Sequence, residues 1–281
     1  MNIPDKIGPF SLDKSKTTMK YGYYYRASFK VPFADAKRYV RVWLPEDYDF
    51  ANPNKEYPVI YFADGQNLVN QNLCAFGCWK LDEVAHDSHL SFIAVGVDSP
   101  RDSALRFNEL NPPYPPEKIK MNNHPYGDKF VNYIADILIP LINKYFFTKK
   151  EKKWTAIAGS SMGGIMAFFA GVTRHDVFGF SLDFSPAFFL YKKETWSFLL
   201  ELFKIKPEDQ VRYFFYVGGK GFEKEFVTAT KYTYERLKAL GFNENQIVLT
   251  IDEKQEHNEE AWNKHLKEAL TFWFYKCQLV D

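Results

Sequence analysis

The chain has few cysteines, no long apolar run and almost no net charge. Three cysteines in 281 residues cannot complete a disulfide framework, so we expect a reducing, cytoplasmic location. No apolar run approaches the ~20 residues needed to span a bilayer, and the first residues lack the basic-then-apolar order of a signal peptide. A net charge of +1 gives no reason to expect nucleic acid or an anionic membrane as a partner.

The cysteines also give little support to a metal site. Cys74 and Cys78 are close in sequence, but no second Cys/His pair lies at a matching spacing, so we expect no metal. By contrast, 46% of the residues are hydrophobic and 25% are charged. This composition is typical of a folded chain with a large core.

Apolar, β-branched and aromatic runs alternate with segments of helical periodicity. The strand-like runs are 39–44, 58–63, 92–97, 154–158, 180–184, 212–217 and 247–251, and the helical stripes are 130–142, 232–240 and 261–274. This alternation predicts a mostly parallel sheet with helices on both faces. Alternating residues in the first segment predict an antiparallel N-terminal hairpin at about 21–44. We find no linker or repeat and expect a single domain over residues 1–281, with a long ordered loop at 111–124.

The most informative motif is Gly159-Ser160-Ser161-Met162-Gly163. It follows a strand-like run and precedes an apolar stretch, and G-x-S-x-G in that context is typical of a nucleophile elbow. Small neighbours are needed because the strand and helix approach closely, and the turn forces the serine into a strained backbone conformation. Ser161 is therefore the predicted nucleophile of a serine hydrolase.

A serine nucleophile needs a general base, and three histidines follow Ser161. His175 lies inside or just past the helix after the nucleophile and points away, while His265 falls within the final predicted helix. His257 lies in the loop between the last strand and that helix. Because the histidine comes last in the order of α/β-hydrolase triads, we predict that His257 is the general base.

The third triad member is less well defined by the sequence. It is expected just past the strand 212–217, where Glu223 and Glu225 are both available, each also explicable as an exposed charge at a helix start. We favour Glu223. Glu225, Asp252 and Asp183 stay open as alternatives.

Two backbone N–H groups are expected to form an oxyanion hole. One belongs to Met162, at a helix N-terminus that favours negative charge. The second follows the strand 58–63, where Gly65 permits a tight turn and Gln66 becomes the predicted donor. A simple turn would have a similar sequence, so this motif is weak by itself.

Together these segments resemble the putative esterase family of α/β hydrolases, which includes enterochelin-esterase-like enzymes, esterase D, and feruloyl and acetylxylan esterases. The resemblance spans roughly 38–274 and rests on Asp64-Gly65-Gln66-Asn67, 127–142, Gly159-Ser160-Ser161-Met162-Gly163-Gly164, Ser185-Pro186-Ala187-Phe188 and Glu256-His257-Asn258. It implies an α/β-hydrolase sheet of about eight strands with no metal or organic cofactor. It also implies that Ser161 is the nucleophile and His257 the base. The implied oxyanion donors are Gln66 and Met162.

The loop after the strand 212–217, where the acid is expected, departs from the family pattern. Relatives often place an acidic residue three or four positions after the first glycine of this loop. Here Gly221 and Phe222 precede Glu223, and some relatives rely on a Ser-His pair with little help from an acid. The resemblance therefore leaves the acid open.

The expected substrate is a small-molecule acyl or aryl ester, such as an acetylated or feruloylated sugar. Trp79 is predicted either to cover the pocket or to fill the core. Arg106 is predicted either to hold a carboxylate or phenolic oxygen or to form a surface salt bridge. The alternative functions are an acyltransferase of the same fold, a non-catalytic ligand-binding member, and a peptidase or lipase, although no long apolar lid segment favours a lipase. The sequence carries no signal for an oligomeric state.

Overall fold

The residues that the structure describes form a ten-stranded sheet. The computed structural model describes residues 3–15, 18–74, 77–114, 124–209 and 211–277. The strand order is β1-β2-β3-β4-β6-β5-β7-β8-β9-β10. The strands are β1 Lys6–Ile7, β2 Phe10–Leu12, β3 Tyr23–Lys30, β4 Lys37–Leu44, β5 Val59–Ala63, β6 Ile93–Val97, β7 Thr155–Ser160, β8 Phe180–Phe184, β9 Arg212–Gly218 and β10 Ile247–Asp252.

The predicted N-terminal hairpin is formed by β3 and β4, which pair antiparallel from Tyr23↔Leu44 to Lys30↔Lys37. The strands β5 to β10 run parallel to one another, and β4 pairs antiparallel with β6 at the junction with the N-terminal strands. The predicted parallel sheet with an antiparallel N-terminal hairpin is therefore confirmed. The predicted count of about eight strands is too low. β1 and β2 are two and three residues long, which is too short to show a periodic pattern.

Helices cover both faces of the sheet. α1 Leu81–Ser88 and α8 Glu259–Cys277 contribute buried residues to one core cluster. The other cluster contains residues of α2 to α7. These helices are α2 Ser103–Glu109, α3 Gly127–Tyr133, α4 Ile139–Tyr145, α5 Met162–Thr173, α6 Lys193–Leu202 and α7 Glu223–Ala239, with a π-helical segment at Ile134–Leu138 between α3 and α4. In the described part of the chain, no helix has the length and apolarity needed to cross a bilayer.

β5 shows why its apolar run is continuous rather than alternating. Val59 and Tyr61 belong to the core cluster on one face, while Ile60 and Phe62 belong to the cluster on the other. Successive side chains point to opposite faces, so a strand covered on both faces must be apolar at every position.

The topology brings the predicted site residues to one edge. Parallel strands end at the same edge of a sheet, and ligands bind in the loops there. Gln66 follows β5, Ser161 follows β7, Glu223 follows β9 and His257 follows β10. Of the predicted loop 111–124, only residues 111–114 and 124 are described; residues 115–123 lie outside the described residues.

Candidate active site

The turn after β7 has the strained geometry that an elbow requires. Ser161 has φ 58° and ψ −118°, a region that costs energy for a residue with a Cβ and persists only when the surroundings fix it. Its N–H donates to the Phe184 carbonyl at 2.9 Å, and its carbonyl accepts from the Ala187 N–H at 3.2 Å. The segment after β8 therefore holds the Ser161 backbone in place.

Strand and helix touch at the elbow. A Cβ on Gly159 would lie 2.4 Å from the carbonyl oxygen of Gly163, and a Cβ on Gly163 would lie 3.3 Å from the Cβ of Ala63 at the end of β5. The first turn of α5 is thus packed against the start of the loop that contains Gln66. Met162, the first residue of α5, has an N–H without an intrahelical partner, as every helix start does.

The loop after β5 is held by several contacts. Asp64 adopts the left-handed conformation with φ 55°, and a short 3₁₀ turn covers Gly65–Asn67. Gly65 lies directly on Gly96 of β6, where a Cβ would come within 2.4 Å of the backbone. The Gln66 side chain accepts a hydrogen bond from the Ser99 N–H at 3.1 Å. The backbone of the predicted oxyanion donor is therefore fixed on both sides.

Arg106 of α2 binds Asp64 through two parallel hydrogen bonds, Nε to Oδ1 at 2.8 Å and Nη2 to Oδ2 at 2.6 Å. Burial alone would raise the pKa of Asp64, but the guanidinium outweighs it and holds that pKa below its ordinary value. Arg106 therefore forms a salt bridge, as one of its two predicted roles requires. Its partner, Asp64, is the first residue of the loop that contains Gln66.

His257 and Glu223 form the central contact of the site. His257 Nδ1 lies 2.8 Å from Glu223 Oε1, with the His257 side chain 12% exposed and that of Glu223 0% exposed. A carboxylate only accepts hydrogen bonds, so Nδ1 carries the proton and Nε2 is left as an acceptor. Rings of Phe222, Phe226 and Trp262 surround the imidazole at centroid distances of 4.9, 4.6 and 5.0 Å.

Two residues that the sequence analysis did not assign to the site complete it. The Ser185 hydroxyl donates to Glu223 Oε1 at 2.7 Å, and the Trp262 indole N–H donates to Ser185 Oγ at 3.0 Å. Ser185 also has a positive φ of 41°. The sequence contained a signal for Ser185 in the Ser-Pro-Ala-Phe segment, but none for its hydrogen-bond partner.

The alternative acids lie elsewhere. Glu225 is exposed in the first turn of α7. Asp252 binds His265 Nε2 at 3.2 Å. Asp183 is fully buried, accepts from the Ser181 hydroxyl at 2.6 Å, and has a pKa that burial raises well above its ordinary value.

Trp79 is 3% exposed and lies among core aromatics. Its ring contacts Phe62, Phe184 and Trp262 at centroid distances of 6.0, 4.8 and 5.9 Å. Trp79 therefore fills the core, as the second of the two predicted alternatives has it, and does not cover a pocket.

Two surfaces beside His257 are available to a ligand. Phe222 is an apolar residue that is 64% exposed, and its ring faces the imidazole. Next to the loop that contains His257 lies a cleft of about 440 Å³, which is lined by Gln71, Gly77, Cys78, Lys80, Asn258, Glu260 and Asn263. Over the described ranges, no three His, Cys, Asp or Glu side chains gather in a way that could hold a metal ion.

Known proteins resemble this chain in sequence and fold. Uncharacterized protein YbbA of Bacillus subtilis (strain 168) is 25% identical over 247 residues, covering 83% of this chain and 91% of that protein. The endo-1,4-beta-xylanase/feruloyl esterase of Xylanibacter ruminicola is 29% identical over 237 residues. That match covers 83% of this chain but only 29% of the longer protein.

The ferric enterobactin esterase of Salmonella typhimurium has a similar structure, with a TM-score of 0.70 at 18% identity. The superposition covers 92% of this chain and 60% of that enzyme, and it confirms the α/β-hydrolase fold. A model of the family described as Putative esterase matches residues 33–273. The chain therefore belongs to the Putative esterase family.

Proposed function

We propose that the protein is a serine carboxylic-ester hydrolase whose triad is Ser161, His257 and Glu223. The observation that carries the proposal is the 2.8 Å contact between His257 Nδ1 and Glu223 Oε1, at the sheet edge where the strained Ser161 lies. Further support comes from membership of an esterase family.

Acylation begins when the neutral Nε2 of His257 takes the proton of the Ser161 hydroxyl. The oxygen attacks the ester carbonyl and forms a tetrahedral intermediate. His257, now an imidazolium next to the Glu223 carboxylate, gives the proton to the leaving alcohol, and the acyl group stays on Ser161. Water activated by the same imidazole then attacks the acyl-enzyme, releases the acid and restores the serine.

The backbone N–H groups of Gln66 and Met162 are the proposed donors to the oxyanion. Donors held rigidly before the reaction stabilise the charge that develops in the transition state, and losing one costs on the order of 10²–10³ in turnover. In this proposal Arg106 serves the same end indirectly, because its guanidinium is bound to Asp64 at the start of the Gln66 loop.

The proposed substrate is a small acyl or aryl ester, with an aromatic acyl group favoured. An aromatic ring gains most from an exposed aromatic neighbour, and Phe222 provides one at 4.9 Å from the His257 ring. The Xylanibacter relative is named a feruloyl esterase, which fits an aryl ester. The side chains of Lys80 and Asn263 in the neighbouring cleft can hydrogen-bond to a hydroxyl-rich alcohol such as a sugar. A cytoplasmic location is part of the same proposal and rests on the cysteine content.

Hydrolysis of p-nitrophenyl acetate and methyl ferulate by the wild type and Ser161→Ala tests the proposal. We expect Ser161→Ala to lose about 10³-fold or more in kcat/KM and to lose labelling by a fluorophosphonate. Ser160→Ala, which removes the neighbouring hydroxyl, is the matched control and should keep both. Phe222→Ala should lower kcat/KM for methyl ferulate more than for the acetate. New esters formed from added alcohols would indicate the acyltransferase instead, and a wild type that neither turns over nor labels would refute the enzyme.

A further inference from the structure

A chain of hydrogen bonds connects Trp262 and Ser185 to Glu223, the acid of the proposed triad. It runs from the Trp262 indole to Ser185 Oγ at 3.0 Å, from Ser185 to Glu223 Oε1 at 2.7 Å, and from there to His257 Nδ1 at 2.8 Å. Trp262, Ser185 and Glu223 are all buried, so water does not compete for these contacts.

The direction of every bond in this chain follows from its first member. An indole N–H can only donate, so Ser185 Oγ must use a lone pair for Trp262. The single proton of the Ser185 hydroxyl is then available for Glu223. Oε1 of Glu223 accepts that proton and a second one from His257 Nδ1, and the arrangement leaves Nε2 of His257 as the acceptor that a general base requires.

The geometry points to Ser185 and Trp262 as positioning residues that set the orientation and basicity of His257 through Glu223. The inference rests on the proposed function, because it takes His257 as the base. A carboxylate oxygen that shares its charge between two donors attracts an imidazolium less strongly than one with a single donor. Ser185 therefore weakens the attraction between the Glu223 carboxylate and an imidazolium at His257.

The backbone of Ser185 supports this reading. A φ of 41° is disfavoured for a residue with a Cβ, and such conformations persist where neighbours enforce them. Here the Ser185 N–H donates to the Tyr216 carbonyl at 2.6 Å. The register between β8 and β9 thus fixes the turn that directs the hydroxyl at Glu223.

Other titratable groups near the pair do not depend on Ser185. Glu259 of α8 interacts electrostatically with His257, and Tyr216 of β9 with Glu223; burial raises the pKa of both side chains. Asp64 and Arg106 lie further along the same site and act on Glu259. Because these groups stay in place when the Ser185 hydroxyl is removed, a shift in the pH profile would belong to Ser185.

The first experiment measures kcat/KM against pH for the wild type and Ser185→Ala, since this ratio reports ionisations of the free enzyme. A hydrogen bond to a charged group is strong enough to move the acidic limb by about one pH unit, and we expect it to move to higher pH. Activity about one unit below the wild-type midpoint should fall roughly tenfold more than activity at the plateau. A lower plateau with an unmoved limb would overturn the inference.

Ser181→Ala is the matched control. Ser181 of β8 is likewise buried and donates to a buried carboxyl group, that of Asp183, which is not part of the proposed triad. The acidic limb of the pH profile of Ser181→Ala should coincide with that of the wild type. Because alanine retains the strain at position 185, Ser185→Gly, which tolerates a positive φ, should give the same limb shift with less loss of stability.

Trp262→Phe tests the direction of the chain. The phenyl ring keeps the packing but lacks the N–H, so the Ser185 hydroxyl is no longer fixed, and the limb should shift in the same direction by a smaller amount. In the double variant with Ser185→Ala, the phenylalanine should add little, because the indole N–H reaches the triad only through Ser185 and the phenyl ring keeps the ring contact with His257. If the limb shifts of the two single variants add up in the double variant, the inference that Trp262 acts through Ser185 is overturned. Trp273→Phe, which removes a buried indole of α8 bonded to the Lys153 carbonyl, is the control.

A measurement that needs no turnover distinguishes between the two proposals. One is the esterase function, and the other is the relay, by which we mean the action of Trp262 and Ser185 on His257 through Glu223. The His257 ring can be titrated by NMR in each variant. If the wild type hydrolyses no ester but the ring titrates at higher pH in Ser185→Ala, the proposed function fails and the relay stands. If turnover is normal and the ring titrates unchanged, only the relay is wrong.

Discussion

Glu223 and His257 lie 34 positions apart in the chain, yet Oε1 and Nδ1 are 2.8 Å from each other. The parallel register of β9 and β10 explains this contact, because Gly218 is aligned with Asp252 and both strands end together. The loop after β9 reaches Glu223 at the start of α7, and the loop after β10 reaches His257 just before α8. The acid and the base are therefore brought together by topology.

Glu223→Gln should reduce kcat by about 10³–10⁴, because an amide can hold the imidazole in the wrong tautomer and cannot stabilise its charge. Burial of the side chain changes little, so the fold should survive. Steady-state kinetics with p-nitrophenyl acetate, together with a thermal unfolding curve, provide the measurement.

The alternative acids serve as controls for this prediction. Glu225→Gln and Asp252→Asn should each keep kcat within a few-fold of the wild type. If Glu223→Gln turns over normally while one of these two does not, the acid has been assigned to the wrong residue. If all three variants are active, none of these residues is the acid, which leaves Asp183 or a Ser-His pair without an acid.

Arg106→Lys should lower kcat by about tenfold with little change in KM. The lysine keeps a positive charge beside Asp64 but loses the paired donors of the guanidinium, so the Gln66 loop is held less rigidly. A substrate-binding arginine would instead mainly raise KM. The separate values of kcat and KM distinguish the two roles.

Arg38→Lys is a suitable control for this change. Arg38 also makes a buried pair with α2, through Glu109 at 2.7 Å, but it does not contact Asp64. It should alter stability without the selective loss of kcat. An increase in KM alone for Arg106→Lys would return Arg106 to a role in substrate binding.

The sequence predicts the nucleophile and the base because each stands in a local context that few other functions require. It does not single out the acid, since Glu223 and Glu225 both lie in the first turn of α7. Only the rotation of that helix decides which one is buried. Periodicity could not have shown it, because the strand and loop that position the helix are distant in sequence.

The remaining misses have the same physical origin. Trp79 follows the oxyanion loop in sequence, but the packing of α8 against the sheet encloses it beside Trp262. Trp262 looks like any apolar residue of an amphipathic helix until its indole is seen to reach Ser185. Such roles depend on contacts across the sheet, which a linear pattern does not contain.

Gly159→Ala should destabilise the fold by about 1–3 kcal/mol, the usual range for overpacking. Its Cβ would lie 2.4 Å from the Gly163 carbonyl oxygen, which would push α5 away from β7 and displace Ser161. Urea unfolding and esterase activity should both be measured, and both should fall.

Gly221→Ala is the contrasting variant. Gly221 has φ +67°, and a Cβ there would meet nothing within 4 Å, so only the conformational strain of about 1–2 kcal/mol applies. A larger loss of stability in Gly221→Ala than in Gly159→Ala would contradict the view that close packing at the elbow is the dominant requirement.

Asp183→Asn should make the protein more stable at pH 8 relative to pH 5 than the wild type is. Burial raises the pKa of Asp183 well above its ordinary value, so the folded state keeps a proton that the unfolded chain releases above about pH 4. The stability from this proton is complete below that pH and is lost progressively as the pH rises. Up to about 1.4 kcal/mol is lost for each pH unit over which the two states differ in protonation. Asparagine does not titrate, and therefore removes this slope.

The measurement is the free energy of unfolding in urea at pH 5, 6.5 and 8 for the wild type and Asp183→Asn. Asp35→Asn, at a side chain that is 96% exposed, is the control and should leave the pH dependence unchanged. Equal wild-type and Asp183→Asn slopes would show that Asp183 is ionised in the folded protein. A loss of turnover with no change of slope would instead restore Asp183 as a candidate for the triad acid, because the carboxylate would then be charged and needed for catalysis.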